Sequence, residues 1–166
     1  MATTTEKFDS KGGYAIGKTV IVDELRNGKD FNSLEVRNRH FTDSHTTHYI
    51  LRGLNTSTLD LDGLGTKIPI ENNTLNFVTG NIIAVNDSGT VYAVKFETAV
   101  SCDGAGNVNI MSSFQTVIKD DIPSGETWSI EPTGGTNVFS YNTVRAGTTA
   151  TIKWVSSTEI ISIAWA

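Results

Sequence analysis

The sequence predicts an all-β protein: an antiparallel β-sandwich, jelly-roll-like, preceded by an N-terminal arm of short strands. Three observations carry this. Apolar and β-branched stretches alternate with short Gly/Asn/Asp turns from Thr66 to the end of the sequence. No helical stretch of about 10–15 residues lies between them, which argues against βαβ units and for antiparallel pairing. Thr, Ser and Asn supply 50 of the 166 residues, and charged residues only 19%. Thr suits a pleated, half-buried surface and Ser and Asn suit turns, whereas the usual helix formers are modestly represented.

Residues 1–13 are polar and end in Lys11-Gly12-Gly13, a flexible arm. Tyr14–Val22 reads as a first strand around Val20-Ile21-Val22. Asp23–Asn32 is less regular, with one possible helical turn at Asp23-Glu24-Leu25-Arg26 before Asn27-Gly28 breaks it. Ser33–Arg37, His48–Leu51 and Thr58–Asp62 alternate with period 2, as brief strands do. Such short pieces bury little apolar surface alone. A soft boundary is therefore placed at Gly63–Gly65. It separates residues 1–62, an assembly or docking region, from a sandwich domain at residues 66–166.

Beyond the boundary, strands are expected at Thr74–Val85, Val91–Ser101, Val108–Ile118, Glu126–Glu131, Asn137–Thr143, Thr148–Val155 and Glu159–Trp165. Asn86-Asp87-Ser88-Gly89 and Asp103–Asn107 have the chemistry of hairpin turns that accept positive φ. Alternation puts Tyr92, Val94, Phe96 and Val100 on one face, and groups Val108 and Ile110 with Phe114 and Ile118. Ile161, Ile163 and Trp165 share a face of the last strand. The expected core comprises Phe77, Tyr92, Val94, Phe96, Ile110, Phe114, Ile152 and Trp154.

Charge and composition exclude several classes. A net charge of −5 with no Lys/Arg cluster disfavours nucleic acid, whose phosphates demand concentrated positive charge. Arg37-Asn38-Arg39-His40 is too short to serve and reads as a solvated strand end. The single cysteine, Cys102, excludes an internal disulfide framework and a Cys-based zinc site, and reads as a bland thiol beside a turn. Met1–Lys7 has no basic region followed by an apolar one, so no secretory signal is expected. No apolar run approaches the ~20 residues of a membrane span. The product is expected to be made in a cytoplasm and to stay there unless it leaves as part of a larger assembly.

Few residues could carry chemistry. His40, His45 and His48 have metal-ligand character, but in a strand only two of them would share a face. Asp60-Leu61-Asp62-Gly63 resembles the start of a calcium loop, yet the later oxygen ligands are missing. Asp120, Asp121 and Glu126 flank the Ile122-Pro123-Ser124-Gly125 turn, where carboxylates are usually solvated. No nucleophile elbow, phosphate loop or His-Glu-x-x-His occurs. The expectation is therefore no catalytic residue, no cofactor, no metal, and no enzyme.

The C-terminal hundred residues have a recognisable order. Lys67-Ile68-Pro69-Ile70-Glu71-Asn72-Asn73-Thr74-Leu75 leads into a long strand and a Gly-bearing hairpin. Tyr92-Ala93-Val94-Lys95-Phe96, Thr116-Val117-Ile118-Lys119-Asp120 and Trp128-Ser129-Ile130 follow, and Ala150-Thr151-Ile152-Lys153-Trp154-Val155 comes near the close. Residues 66–166 thus resemble a β-sandwich module of tail-fibre, tailspike and other virion proteins of tailed bacteriophages. The resemblance implies a non-enzymatic structural component of the virion, of tail, fibre or capsid-decorating type. It also implies a homotrimer that contacts other virion proteins, with no membrane insertion. The alternative it leaves open is a receptor- or carbohydrate-binding module at a fibre tip, contacting host surface glycan through rings among Tyr92, Trp128, Tyr141 and Trp165.

Overall fold

The structure is a computed structural model that describes Tyr14–Ile16, Thr19–Val22, Gly28 and Phe31–Trp165. The chain divides into two compact units, Met1–Asn32 and Ser33–Ala166. In the first, β1 (Tyr14–Ile16) and β2 (Thr19–Val22) pair antiparallel, with Ile16 opposite Thr19. The single strand expected over Tyr14–Val22 is thus two strands folded on each other. The helical turn expected at Asp23–Arg26 lies outside the described residues.

The second unit is an all-β, antiparallel sandwich. Its strands are β3 (Ser33–Arg37), β4 (Ser44–Leu54), β5 (Ile68–Pro69), β6 (Thr74–Asn86), β7 (Val91–Cys102), β8 (Val108–Asp120), β9 (Thr127–Gly135), β10 (Val138–Ala146) and β11 (Ile152–Ala164). Six form one sheet in the order β3-β4-β11-β6-β7-β8, and three form the other in the order β5-β10-β9. The chain crosses to the smaller sheet after β8, through the Pro123-Ser124-Gly125 turn closed by the Glu126 N–H on the Pro123 carbonyl at 3.0 Å. It returns after β10.

The predicted turns form for the reasons their residues suggest. The Asn86 carboxamide accepts from the N–H groups of Ser88 and Thr90 at 3.0 and 2.9 Å, and Gly89 takes φ of 81°. The Asp103 carboxylate accepts from the Ala105 and Asn107 amides, both at 2.9 Å, while Gly106 takes φ of 85°. Side-chain oxygens here replace missing ladder partners, and glycine supplies the left-handed backbone.

Between the sheets lies one core, including Leu51, Leu59, Val78, Phe96, Phe139, Tyr141 and Trp154. Five of the eight residues expected there are buried: Tyr92, Val94, Phe96, Ile152 and Trp154. Ile110 is partly buried, and Phe77 and Phe114 are exposed. For Phe114 the cause is a β-bulge. Ile110 faces Val100 but Ser112 faces Ala99, so Met111 is an extra residue and the in/out phase flips. Phe114 therefore stands opposite Glu97 on the outer face, while Gln115 turns inward and its amide donates to the Tyr92 hydroxyl at 3.0 Å.

The expected strands Thr148–Val155 and Glu159–Trp165 are one strand, β11. Ser156 and Ser157 do not interrupt it, because Ser156, Thr158 and Ser162 continue the inward row begun by Ile152 and Trp154. Ile161 and Ile163 consequently face outward.

The sandwich also takes in residues placed ahead of the sequence-derived boundary. β4 pairs with β11 from Ser44 to Leu54, and Leu51 and Leu59 are fully buried. The compact unit starts at Ser33 rather than near residue 66. Period-2 patterning marks such a strand but does not name its partner, which here is the last strand of the chain.

Candidate functional site

A cleft of roughly 150 Å3 opens on the inner side of the six-stranded sheet, lined by residues of β3, β4, β6 and β11 and by the segment from β5 onward. Register brings its wall together. Glu35 stands opposite Thr47 and Arg37 opposite His45 on the β3–β4 ladder, while Thr47 and Tyr49 face Ile160 and Thr158 on β11. Asn76 and Ser162, directly opposite each other on β6 and β11, extend the same face. Pro69, Ile70 and Glu71 close the cleft from β5 and the segment after it.

The cleft is rich in acceptors. Glu35 accepts from Arg37 Nε at 2.9 Å, and Arg37 also approaches His45 Nδ1 at 3.4 Å. Among the described residues Glu71 has no ion-pair partner. Thr47 is only 3% exposed, and its Oγ1 is the one buried side-chain polar atom among the described residues without a hydrogen-bond partner. An orphaned buried hydroxyl costs about 1–3 kcal/mol.

Burial raises the Tyr49 phenol above its usual range. The Thr47 hydroxyl acts the other way, and Glu35 and Glu71 push it up further. Thr47 and Tyr49 are thus near neighbours, although their oxygens do not meet hydrogen-bond geometry.

The histidines do not converge. His40 lies in the turn before β4, its N–H donating to Asn38 Oδ1 at 2.9 Å. His45 lines the cleft, and His48 points to the opposite face, where Nε2 sits 3.1 Å from Glu159. Among the described residues, no three His, Cys, Asp or Glu side chains gather as metal ligands.

Asp60 and Asp62 spend their oxygens on their own loop. Asp60 accepts from the Gly63 and Gly65 amides, and Asp62 accepts from the Leu64 amide and the Thr66 hydroxyl. The Thr66 bond, more than any other contact, holds the Asp62 carboxyl below the usual range. Asp121 pairs with Lys119 at 2.7 Å, and Glu126 accepts from the Trp128 indole N–H at 3.0 Å. Cys102 is buried, and burial pushes its thiol pKa up, which suits an inert side chain. Of the four rings considered for glycan stacking, Tyr92, Trp128 and Tyr141 are core, and Trp165 is 56% exposed.

Sequence reasoning missed Glu35, Thr47, Tyr49 and Glu71. The alternation Glu35-Val36-Arg37 and the Thr47-His48-Tyr49 triplet did announce shared faces. Nothing local joins them to Glu71, which arrives only through the path of β5.

A second surface feature is apolar. On the outer face of the large sheet, Leu75 lies opposite Ile163 and Phe77 opposite Ile161, and these four are 43–50% exposed. Edge strand β8 adds exposed Phe114, opposite Glu97.

No family model matches the chain, and no curated protein matches it. Among solved structures it is similar to a tailspike protein, gp49 from Acinetobacter baumannii bacteriophage Fri1, a capsular polysaccharide depolymerase. Identity is 12% and the TM-score 0.44, over 92% of this chain and 23% of that one. The chain thus spans less than a quarter of the length of the protein it matches. The depolymerase is an enzyme, and the expectation that this chain is not one is corrected accordingly. That expectation rested on motifs local in sequence, which do not register groups brought together only by the fold. No helix among the described residues is long and apolar enough to cross a membrane.

Proposed function

We propose that this chain is a structural component of a tailed-phage virion, of tail or fibre type, that works as a homo-oligomer with three chains favoured. The observation that carries the reading is the outer face of the six-stranded sheet. Its Leu75–Ile163 and Phe77–Ile161 pairs form a contiguous apolar patch in which each residue is about half exposed. Patches of this kind mark association surfaces. The edge of β8, which pairs with β7 on one side only in the large sheet and carries exposed Phe114, favours association further. The occupant proposed for the face is a second copy of this chain, because symmetric self-association is the commonest use of such a surface. The order of motifs over residues 66–166 supports the virion context. The sequence points to residues 1–62 as a docking region. Within them, residues 1–32, the unit outside the sandwich, are the segment proposed to attach the protein to other virion components.

Sedimentation of the full chain tests the assembly. An oligomer is expected for the native protein, and Phe77→Glu with Ile161→Glu should give a folded monomer. A native chain that sediments as a monomer at high concentration would overturn it. A second reading, a glycan-binding module at a fibre tip, is favoured by the exposed Trp165 ring. Loss of host-cell adsorption in Trp165→Ala with assembly intact would establish it, and unchanged adsorption would remove it.

A further inference from the structure

We propose that the cleft between β3–β4 and the β5–β6 connection binds a primary ammonium group, carried by a lysine side chain or by an amino sugar. This is independent of how the chain assembles. Two features of the cleft are unused among the described residues: the carboxylate of Glu71 has no ion-pair partner there, and the hydroxyl of Thr47 is buried and unpaired. Between them stands the phenol of Tyr49, within the field of both Glu35 and Glu71.

The chemistry selects the ligand. Two carboxylates repel an anion, and Arg37, next to the cleft on β3, is already held by Glu35 at 2.9 Å. What the Glu71 carboxylate lacks is a cationic donor. A primary ammonium offers three N–H bonds and no acceptor, which suits the Glu71 carboxylate and the Tyr49 oxygen together. Tyr49 then keeps its own O–H to give away, and the nearest acceptor without a partner is Thr47 Oγ1. Pro69, Ile70 and Ile160 supply apolar wall for the carbon that bears the nitrogen. The volume, roughly 150 Å3, equals the liquid volume of about five waters. It admits the tip of an aminoalkyl chain or one corner of an amino sugar.

The test is titration of the isotope-labelled full chain, followed by amide shifts, with four probes: Nα-acetyl-lysine methylamide, glucosamine, N-acetylglucosamine and tetramethylammonium. Saturable shifts at Thr47, Tyr49 and Glu71 are expected with one or both of the first two probes, and the one that binds more tightly identifies the source. The last two probes lack the ammonium N–H and should leave these signals in place. Glu71→Gln, at the exposed rim, should weaken binding by tenfold or more without altering the fold. Thr47→Val should raise the melting temperature of the empty protein, by removing an unpaired hydroxyl, and weaken binding severalfold. A merely structural Thr47 would not move the affinity. No saturation with either amine, equal shifts with N-acetylglucosamine, or an unaltered affinity in Glu71→Gln would each overturn the proposal.

Discussion

Gly80 makes room for Tyr141. A Cβ at Gly80 would lie 2.8 Å from Tyr141 Cζ and closer still to the hydroxyl, so only glycine lets the fully buried phenol reach across the core from the smaller sheet. The ring is held on edge to Phe139, centroids 5.2 Å apart. Its oxygen accepts from Thr158 at 3.4 Å, directly opposite Gly80 on β11, and Thr158 contacts Ser156 at 2.8 Å.

Gly80→Ala should therefore overpack the core and cost about 1–3 kcal/mol, read as a lower melting temperature. Tyr141→Phe removes the oxygen that meets the new methyl. In that background the same substitution should cost visibly less, with a coupling of roughly 0.5–3 kcal/mol. Equal penalties in both backgrounds would show that the hydroxyl is not what excludes a side chain at position 80.

Tyr141 also sets an alkaline limit. Burial, slightly offset by Thr158 and Ser156, pushes its phenol up to about 12. An unfolded tyrosine titrates near 10. The native chain therefore holds a proton that the unfolded chain sheds, so stability is unaffected below pH ~10 and falls as pH rises toward ~12. The total loss is about 3 kcal/mol from this group. Tyr49 and Tyr92, raised in the same direction by burial, add to the trend. Denaturant midpoints between neutral pH and pH 11.5 measure it, and Tyr141→Phe should flatten the curve. A native chain equally stable at both ends would refute the assignment.

Phe96 and Phe114 separate core from surface. Phe96 is buried beside Tyr141, ring centroids 5.9 Å apart, so Phe96→Ala should cost about 3–5 kcal/mol. Phe114 is 65% exposed, so Phe114→Ala should change the stability of the isolated chain by no more than about 0.5 kcal/mol. If both variants melt alike, the bulge at Met111 is misplaced.

The contrast between these two residues shows what the sequence discloses. Strands β6, β7 and β8 were legible because their alternation is long and their hairpins carry Asn, Asp and Gly at the turns. The facing of Phe114 was not, because one inserted residue inverts the phase and leaves no mark in composition. β11 was split in two because its centre buries Ser156 and Thr158 rather than apolar groups, and the polar pair looked like a break. Their hydroxyls are instead satisfied by each other and by Tyr141, a partner from the opposite sheet. The cleft was least legible of all. Glu35 and Thr47 meet through one ladder and Thr47 and Ile160 through another, while Glu71 comes from a connection whose course depends on the smaller sheet.

Two truncations distinguish the sequence-derived boundary from the one the fold draws. Residues 1–32 form a unit of their own, and among the described residues the first fully buried apolar side chain of the core is Leu51. Deleting them should leave a folded, cooperative β-protein. Deleting residues 1–62 removes β3 and all of β4, which pairs with β11 over its whole length, and takes Leu51 and Leu59 out of the core. Each of these leucines alone is worth about 2–5 kcal/mol on truncation to alanine, and β11 would be left with a bare edge. The two leucines together, about 4–10 kcal/mol, already take most of the 5–15 kcal/mol that holds an ordinary domain, before the lost β4–β11 ladder is counted. The shorter deletion should therefore melt close to the full chain, while the longer one should be unfolded or aggregated. A soluble, cooperatively melting chain that starts at residue 63 would show that β4 is an appendage, and would return the boundary to the glycines at 63 and 65.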